Sequence, residues 1–328
     1  MSTELAPIFE FPIELASTTE DVIEAWLAGR NAATRRGYLS DLGQFALWAK
    51  APSSHAVIDA LLRMAPGHAN RVVLGYQAHM VESGLSSSTI NRRLAAIRSM
   101  VKFGRRIGVI TWSLDTPGVK VEARHDMRGP DLADTRLLFR AADHQGDSKS
   151  AKRDRAIMAL LFDLGLRRAE LCGLDLADVE PGQEGLPVAV WIVGKGHREK
   201  QRVTVPPATS QLLDAWIGIR GILPGPLFHR CDRKDFDLNV RLTGESVRLI
   251  TKRLSTMAGV KCVRPHGLRH AAATTLLDEG RRVQDVQKFT RHAKLEMVLR
   301  YEDARHDTAG ELAGLLSRRR QEERKPRS

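Results

Sequence analysis

The sequence predicts a mainly α-helical protein of two domains, with a small β-sheet confined to the second. Three observations predict it. The chain has 328 residues, about two domains at roughly 150 residues each. Apolar residues recur at helical spacing along most of its length. The period changes to a β-rich pattern only within 188–205. Hydrophobic residues make up 42% of the chain, enough to build cores, so wholesale disorder is excluded.

Residues 1–16 form an extended start with no clear period. A helical domain is expected over 17–112. Its first helical stretch runs from Thr18 to Ala49, with a break near Gly29–Ala33. In TRRGYLSDLGQFALWAK, Tyr38, Leu42, Phe45 and Trp48 fall on one helical face and form a buried stripe. Further helices are expected over Ser54–Met64 and Ala69–Ser83. SGLSSS is a turn, and Ser87 or Ser88 caps the helix TINRRLAAIRSMVKFGRRIG. There Ile90, Leu94, Ile97 and Val101 make the apolar stripe, while Arg92, Arg98, Lys102, Arg105 and Arg106 project around the other side.

Residues 113–130 (SLDTPGVKVEARHDMRGP) hold two prolines and two glycines and read as the linker. The second domain, 131–328, opens with helices near Leu132–Asp143 and Lys152–Leu164. VAVWIV and RVTV then form a hairpin around GKGHREK (194–200). Helical patterns resume from Thr209, apart from loops near Gly221–Gly225 and Cys231–Asp237.

Several function classes drop out. Three widely spaced cysteines give no disulfide framework, and neither CxxC nor HExxH occurs to hold zinc. No apolar run approaches the ~18 residues of a membrane span. Acids stand near the N-terminus where a signal peptide carries Lys or Arg. The expectation is a soluble, cytoplasmic protein without metal or cofactor.

Charge argues about partners. The net charge is +12, yet residues 1–29 carry six acids and no Lys or Arg. The last twelve residues carry a net +4, which leaves +14 on 30–316. A basic body of this kind points to nucleic acid. Arg35, Arg36, Arg92, Arg93, Arg98, Lys102 and Arg105 of the helical domain are the candidate DNA-binding side chains.

The second domain offers LGLRRAEL (164–171), GKGHREK, HGLRH (266–270) and RHAKLEMVLRY (291–301). Singly, each has an ordinary explanation: a surface arginine, a charged hairpin tip, a capping histidine, a core tyrosine. Together they describe a site for a phosphate diester. Arg167 and Arg269 can fork onto the non-bridging oxygens. His266 and His292 can donate to phosphate oxygens or move a proton. Lys195 is protonated at neutral pH and can supply a proton to a leaving alkoxide, though Lys200 on the same hairpin competes for that role. The Tyr301 hydroxyl is a competent nucleophile once its proton is drawn off.

The order Arg167, Lys195, His266-x-x-Arg269, His292, Tyr301 resembles the active-site series of the tyrosine recombinases, the phage-integrase and Xer family. GLRRAEL is similar to the family's first arginine box, GKG to its hairpin lysine and HGLRHAAATTLL to its second box. The nine-residue step from His292 to Tyr301 is also the family's. TRRGYLSDLGQFALWA and SSSTINRRLAAIRSMVKF resemble its helical core-binding domain, so the likeness runs from about Thr18 to Leu316. The sequence departs from the family pattern at Thr290-Arg291, where Leu-Gly is usual before the histidine. It departs also at Val298, where threonine is common, and at Glu302-Asp303 after the tyrosine.

The resemblance implies an N-terminal core-binding (SAM-like) domain and a mixed α/β catalytic domain with a small sheet, closing on double-stranded DNA at a specific recombination site. It implies a 3′-phosphotyrosyl bond on Tyr301. Arg167, Arg269 and His292 would hold the phosphate, Lys195 would protonate the leaving oxygen and His266 would assist proton transfer. Glu170 would orient an arginine from behind. It also implies a homo-tetramer on two duplexes, with accessory proteins in some systems, and work in DNA integration or recombination such as that of a mobile element. Leu312, Leu315 and Leu316 make a narrow apolar stripe near the C-terminus, which either packs on its own domain or docks into a neighbour. A type IB topoisomerase and a non-catalytic DNA-binding protein of the same fold are the competing readings.

Overall fold

The computed structural model describes residues 19–120, 129–182, 185–194, 199–230, 240–302, 313–314 and 316–318. The chain divides into two compact units, 1–123 and 124–328. Among the described residues no helix is long and apolar enough to cross a membrane.

Among the described residues the regular elements of the first unit are all helices: α1 (Thr19–Leu27), α2 (Ala32–Trp48), α3 (Ser54–Arg63), α4 (Pro66–Glu82) and α5 (Ser87–Arg106). Short polar side chains start three of these helices. Asn31, Ser53 and Ser86 each accept a hydrogen bond from the backbone N–H three residues on, satisfying a donor the helix leaves open. The cap of α5 is thus Ser86, one residue before the expected serines. Pro66 starts α4 three residues earlier than periodicity alone suggests, because its fixed φ suits the first helical position.

Leu42 and Phe45 of α2 and Ile90, Leu94, Ile97 and Val101 of α5 are all buried, with Tyr38 and Trp48 packed against that core. Trp26 stacks on Tyr38 at 4.8 Å, and the Arg30 guanidinium lies over both rings. One charge is buried here. Asp41 is 2% exposed and accepts Arg92 Nη1 through both carboxylate oxygens at 2.5 and 2.6 Å.

Residues 113–120 run along this unit. Asn91 exchanges two 2.8 Å hydrogen bonds with the Val119 backbone, and Asn70 accepts from the Asp115 N–H at 2.9 Å. Residues 121–128 of the expected linker lie outside the described residues, as does the 1–16 extension.

The second unit contains α6 (Leu132–Asp143), α7 (Lys149–Phe162), α8 (Arg168–Gly173), a 3-10 turn (Leu176–Asp178) and β1 (Val179–Pro181). After them come β2 (Pro187–Val193), β3 (Lys200–Thr204), α9 (Pro207–Arg220), α10 (Gly244–Ala258), α11 (Pro265–Asp278), α12 (Val283–Thr290) and α13 (Glu296–Glu302). The three strands form one antiparallel sheet in the order β1-β2-β3, with Val190 opposite Val203. β1 is too short to show a period, which is why the sequence pattern reveals only the hairpin.

α7 runs through the centre of this unit. Ala156 to Leu161 are buried without interruption, so no solvent face survives there. Its one buried carboxylate, Asp154, is paired with both Arg153 and Arg253. The sheet adds Val190 and Ile192 to the same core, and α9 adds Leu213 and Trp216. Of the expected C-terminal stripe, Leu316 is exposed, while Leu312 and Leu315 lie outside the described residues.

Ile97 is completely buried between the helices of the first unit. Truncation to alanine at such a site destabilises by about 2–5 kcal/mol. Ile97→Ala should therefore lower the unfolding free energy of the first unit by that amount, read from the urea titration of the full chain. A loss well under 1 kcal/mol would show that this core is not closely packed.

Candidate active site

The site is built on the turn Leu164–Gly165–Leu166 between α7 and α8. Gly165 has φ +54°, and a Cβ placed there would lie 2.9 Å from the Phe289 ring. Only glycine fits both the backbone and the space. This turn aims the Gly165 carbonyl at two guanidinium groups: Arg269 Nη1 donates to it, and so does Arg291 Nη2 at 2.8 Å.

Arg167 is the residue just before α8, and Glu170 stands in that helix's first turn. The Glu170 carboxylate accepts the Arg167 backbone N–H at 2.8 Å and Arg167 Nη1 at 2.5 Å. It also accepts Arg291 Nη2 at 3.3 Å. A carboxylate is favourable in the first turn of a helix, where backbone N–H groups point out unpaired.

α11 brings the second pair. His266 and Arg269 are three residues apart, hence on one face of its first turn. Pro265 begins the helix, and Gly129 lies so close that a Cβ on it would come within 2.3 Å of the Gly267 carbonyl oxygen. Arg269 is 0% exposed and donates to the carbonyls of Gly165 and Thr290.

α12 ends in a left-handed residue, Arg291 at φ 52° and ψ 42°, and the turn delivers His292. Thr290 Oγ1 donates its only hydrogen to the Val286 carbonyl at 2.7 Å. The 2.9 Å contact between Thr290 Oγ1 and His292 Nδ1 is therefore made by an Nδ1–H donor. This leaves Nε2 as the acceptor, facing Arg269 Nη2 at 3.4 Å. Gln287 fixes the histidine's own carbonyl at 3.0 Å.

Burial and charge together set the titration of these groups. Burial, then the cations Arg269 and Arg167, then His266 and Arg291 lower the His292 pKa from 6.5 to about 4. His266 keeps an outer edge in solvent, yet crowding on its inner side, ahead of the charges of Arg269 and Arg167, lowers its pKa too. Burial alone would raise the Glu170 pKa. Hydrogen bonds from Arg167 and the charges of Arg291 and Arg167 outweigh it, so the carboxylate stays ionised. Among the described residues, no three His, Cys, Asp or Glu side chains gather as a metal site.

The structure thus brings Arg167, Glu170, His266, Arg269 and His292 together. Tyr301 lies in α13, which packs on α11 and α12 through the buried Val298; the tyrosine side chain lies outside the described residues. Lys195 also lies outside them. Lys200 begins β3 and is hydrogen-bonded to Asp178, which raises its pKa. The sequence reading missed two residues, Thr290 and Arg291. Both were visible only as departures from a familiar pattern, with nothing to mark one as a brace for His292 and the other as a buried guanidinium.

In the first unit, Arg92, Arg93 and Arg98 are braced. Arg92 pairs with Asp41, Arg93 reaches Gln44 at 3.2 Å and the Tyr76 hydroxyl at 3.4 Å, and Arg98 bonds the Leu94 carbonyl at 3.3 Å. Arg35, 3.7 Å from Glu24, and Arg36, Lys102 and Arg105 are exposed.

A profile of the phage integrase family matches residues 133–307, over half of the chain. A tyrosine recombinase of Synechocystis sp. is 34% identical over 314 residues, covering 93% of this chain and 97% of the relative. One from Synechococcus elongatus is 35% identical over 306 residues, covering 91% and 93%. Among solved structures, a XerH site-specific recombinase bound to a palindromic difH substrate superposes with a TM-score of 0.64. Its sequence identity is 19%, over 92% of this chain and 86% of that one.

Two predictions come from this geometry. Gly165→Ala should destabilise the chain by at least about 1–2 kcal/mol, from the left-handed backbone alone, before Phe289 is displaced. An unchanged urea midpoint would contradict the geometry. For His292, the native state refuses below pH 6.5 a proton that the unfolded chain accepts. Its contribution to stability is present above pH 6.5 and is lost as pH falls toward 4. The urea midpoint of His292→Gln should therefore fall less than that of the wild type over this range. Parallel curves would refute the assignment.

Proposed function

The chain belongs to the phage integrase family of tyrosine-type site-specific recombinases, and from that premise we propose that it cuts and rejoins double-stranded DNA at a specific site through a covalent bond to Tyr301. One observation carries the reading: Arg167 and Arg291 share the Glu170 carboxylate, and Arg291 and Arg269 share the Gly165 carbonyl, so three guanidinium groups are linked beside two histidines held neutral. Such a cluster has cationic charge to spare, and a phosphodiester is the anion whose oxygens match planar guanidinium donors.

In the proposed step, the Tyr301 oxygen attacks phosphorus and the bond to the 5′-oxygen breaks. His266, neutral near pH 7, takes the tyrosine proton. Lys195 gives a proton to the departing 5′-oxygen. Lys200 is the poorer donor, because Asp178 holds its proton on. Arg167 and Arg269 hold the non-bridging oxygens. The charge of the bound phosphate offsets the cations that depress His292, so Nε2 gains a proton and donates to the same group. The link to tyrosine conserves the bond, and a 5′-hydroxyl from another strand reverses the step without ATP. Neither a metal nor a cofactor is required, since guanidinium groups supply the charge stabilisation.

The reading extends to the assembly. The names of the relatives support site-specific recombination, and the family resemblance extends this to exchange between two duplexes, hence four copies of the chain. The helical segment 17–112, joined to the catalytic segment 131–328 through 113–130, would grip the duplex with Arg35, Arg36, Arg92, Arg93, Arg98, Lys102 and Arg105.

The test is covalent capture. DNA fragments selected from the protein's own genome by binding to the full chain are nicked near the footprinted site. They are then incubated in EDTA with wild type or Tyr301→Phe. The expected result is a denaturation-resistant DNA–protein adduct with wild type alone. An adduct that survives Tyr301→Phe, or no adduct despite a footprint, would overturn the reading, the latter in favour of a non-catalytic DNA-binding protein.

A further inference from the structure

We propose that Arg291 is a positioning residue for strand cleavage: its guanidinium ties the Leu164–Gly165 turn to Glu170 and so aims Arg167 and Arg269 at the phosphate. The inference rests on the reading of the site given above.

The backbone at this position argues for a function of the side chain. Among the described residues, only Lys50 and Arg291 adopt positive φ without being glycine. The turn that ends α12 is of the kind glycine makes most readily. A long cationic side chain there is at odds with the local backbone unless it does something glycine cannot.

The side chain turns inward and is 9% exposed. Nη1 donates to the carbonyls of Leu164 at 3.1 Å and Phe289 at 2.9 Å. Nη2 donates to the Gly165 carbonyl at 2.8 Å and to Glu170 at 3.3 Å. The Arg291 carbonyl in turn accepts Arg167 Nη2 at 2.7 Å. Two of these partners serve another site residue. Gly165 also accepts Arg269, and Glu170 also accepts Arg167. Arg291 therefore touches both arginines' supports and clamps Arg167 from its main chain as well. Only a planar fork with several donors can reach acceptors spread this way, and a lysine ammonium cannot.

A role confined to folding and a role in positioning make different predictions. Arg291→Gly suits the left-handed backbone and deletes the braces. It should leave the full chain folded at the assay temperature, with DNA affinity kept within about twofold. The single-turnover rate of adduct formation on the nicked fragments should drop on the order of 10- to 100-fold, as small displacements of preorganised groups do. Arg291→Lys should recover only part of the rate, and millimolar methylguanidinium should accelerate Arg291→Gly but not wild type. An Arg291→Gly rate equal to wild type, or a loss matched by lost affinity or lost fold, would overturn the proposal. An absent wild-type adduct, or one that persists in Tyr301→Phe, would instead overturn the reading of the site beneath it.

Discussion

The constraint on which the rest depends is the crowding of three guanidinium groups in one place. Two unit charges 4 Å apart repel by about 4 kcal/mol at an effective dielectric of 20, so such a cluster exists only where acceptors are already fixed. The chain supplies them from two helix ends. The start of α8 provides Glu170, and the end of α12 provides the carbonyls of Phe289, Thr290 and Arg291, which the helix itself leaves without partners. Helix ends and cations solve each other's problem. The negative end of the α12 dipole faces Arg167, Arg269 and Arg291, and each guanidinium in turn satisfies a carbonyl.

This arrangement fixes what the site does when empty and when filled. Its arginines are held by hydrogen bonds rather than by solvent, so little reorganisation is needed when an anion arrives. Its histidines are kept neutral by burial first and by the same cations second, and His292 is held in a single tautomer by Thr290. The fold pays elsewhere for this order, in a glycine turn at Gly165 and a left-handed arginine. The strained one, Arg291, lies within the network, where neighbouring bonds over-determine it.

Much of the architecture is legible in the sequence because it is local. α2, α3, α5 and α6 follow from polar caps and apolar stripes, and the spacing of His266 and Arg269 alone puts them on one helical face. What the sequence hides is non-local. Gly165 opens the arginine box, but nothing local shows why glycine is required until Phe289, far along the chain, is seen against it. Thr290 looks like a loss of hydrophobicity, yet it is fully buried because its hydroxyl is spent on Val286 and His292. Arg291 reads as an added charge beside the site, with nothing to show that its guanidinium turns inward. β1, three residues long, has too few positions to display alternation.

The basic side chains of the first unit show the same economy in another form. Its arginines divide by what holds them. Arg92 is fixed by a carboxylate that is itself buried, and Arg93 and Arg98 are steered by Gln44, Tyr76 and the Leu94 carbonyl. Arg36, Lys102 and Arg105 stand exposed. On the proposed DNA-binding surface these two groups have different capacities. An exposed, rotatable cation contributes a diffuse field that any phosphate satisfies, and salt screens it. A guanidinium locked by a buried acid presents its remaining donors in one direction and loses little entropy on contact, which is what reading a particular base edge or phosphate register demands. Burial pushes the Asp41 carboxyl up against the pull of Arg92, so the pair is no bargain for stability alone. Its value lies in direction, as it does for Glu170 and Arg167 in the second unit: in both places a buried carboxylate sets where an arginine points.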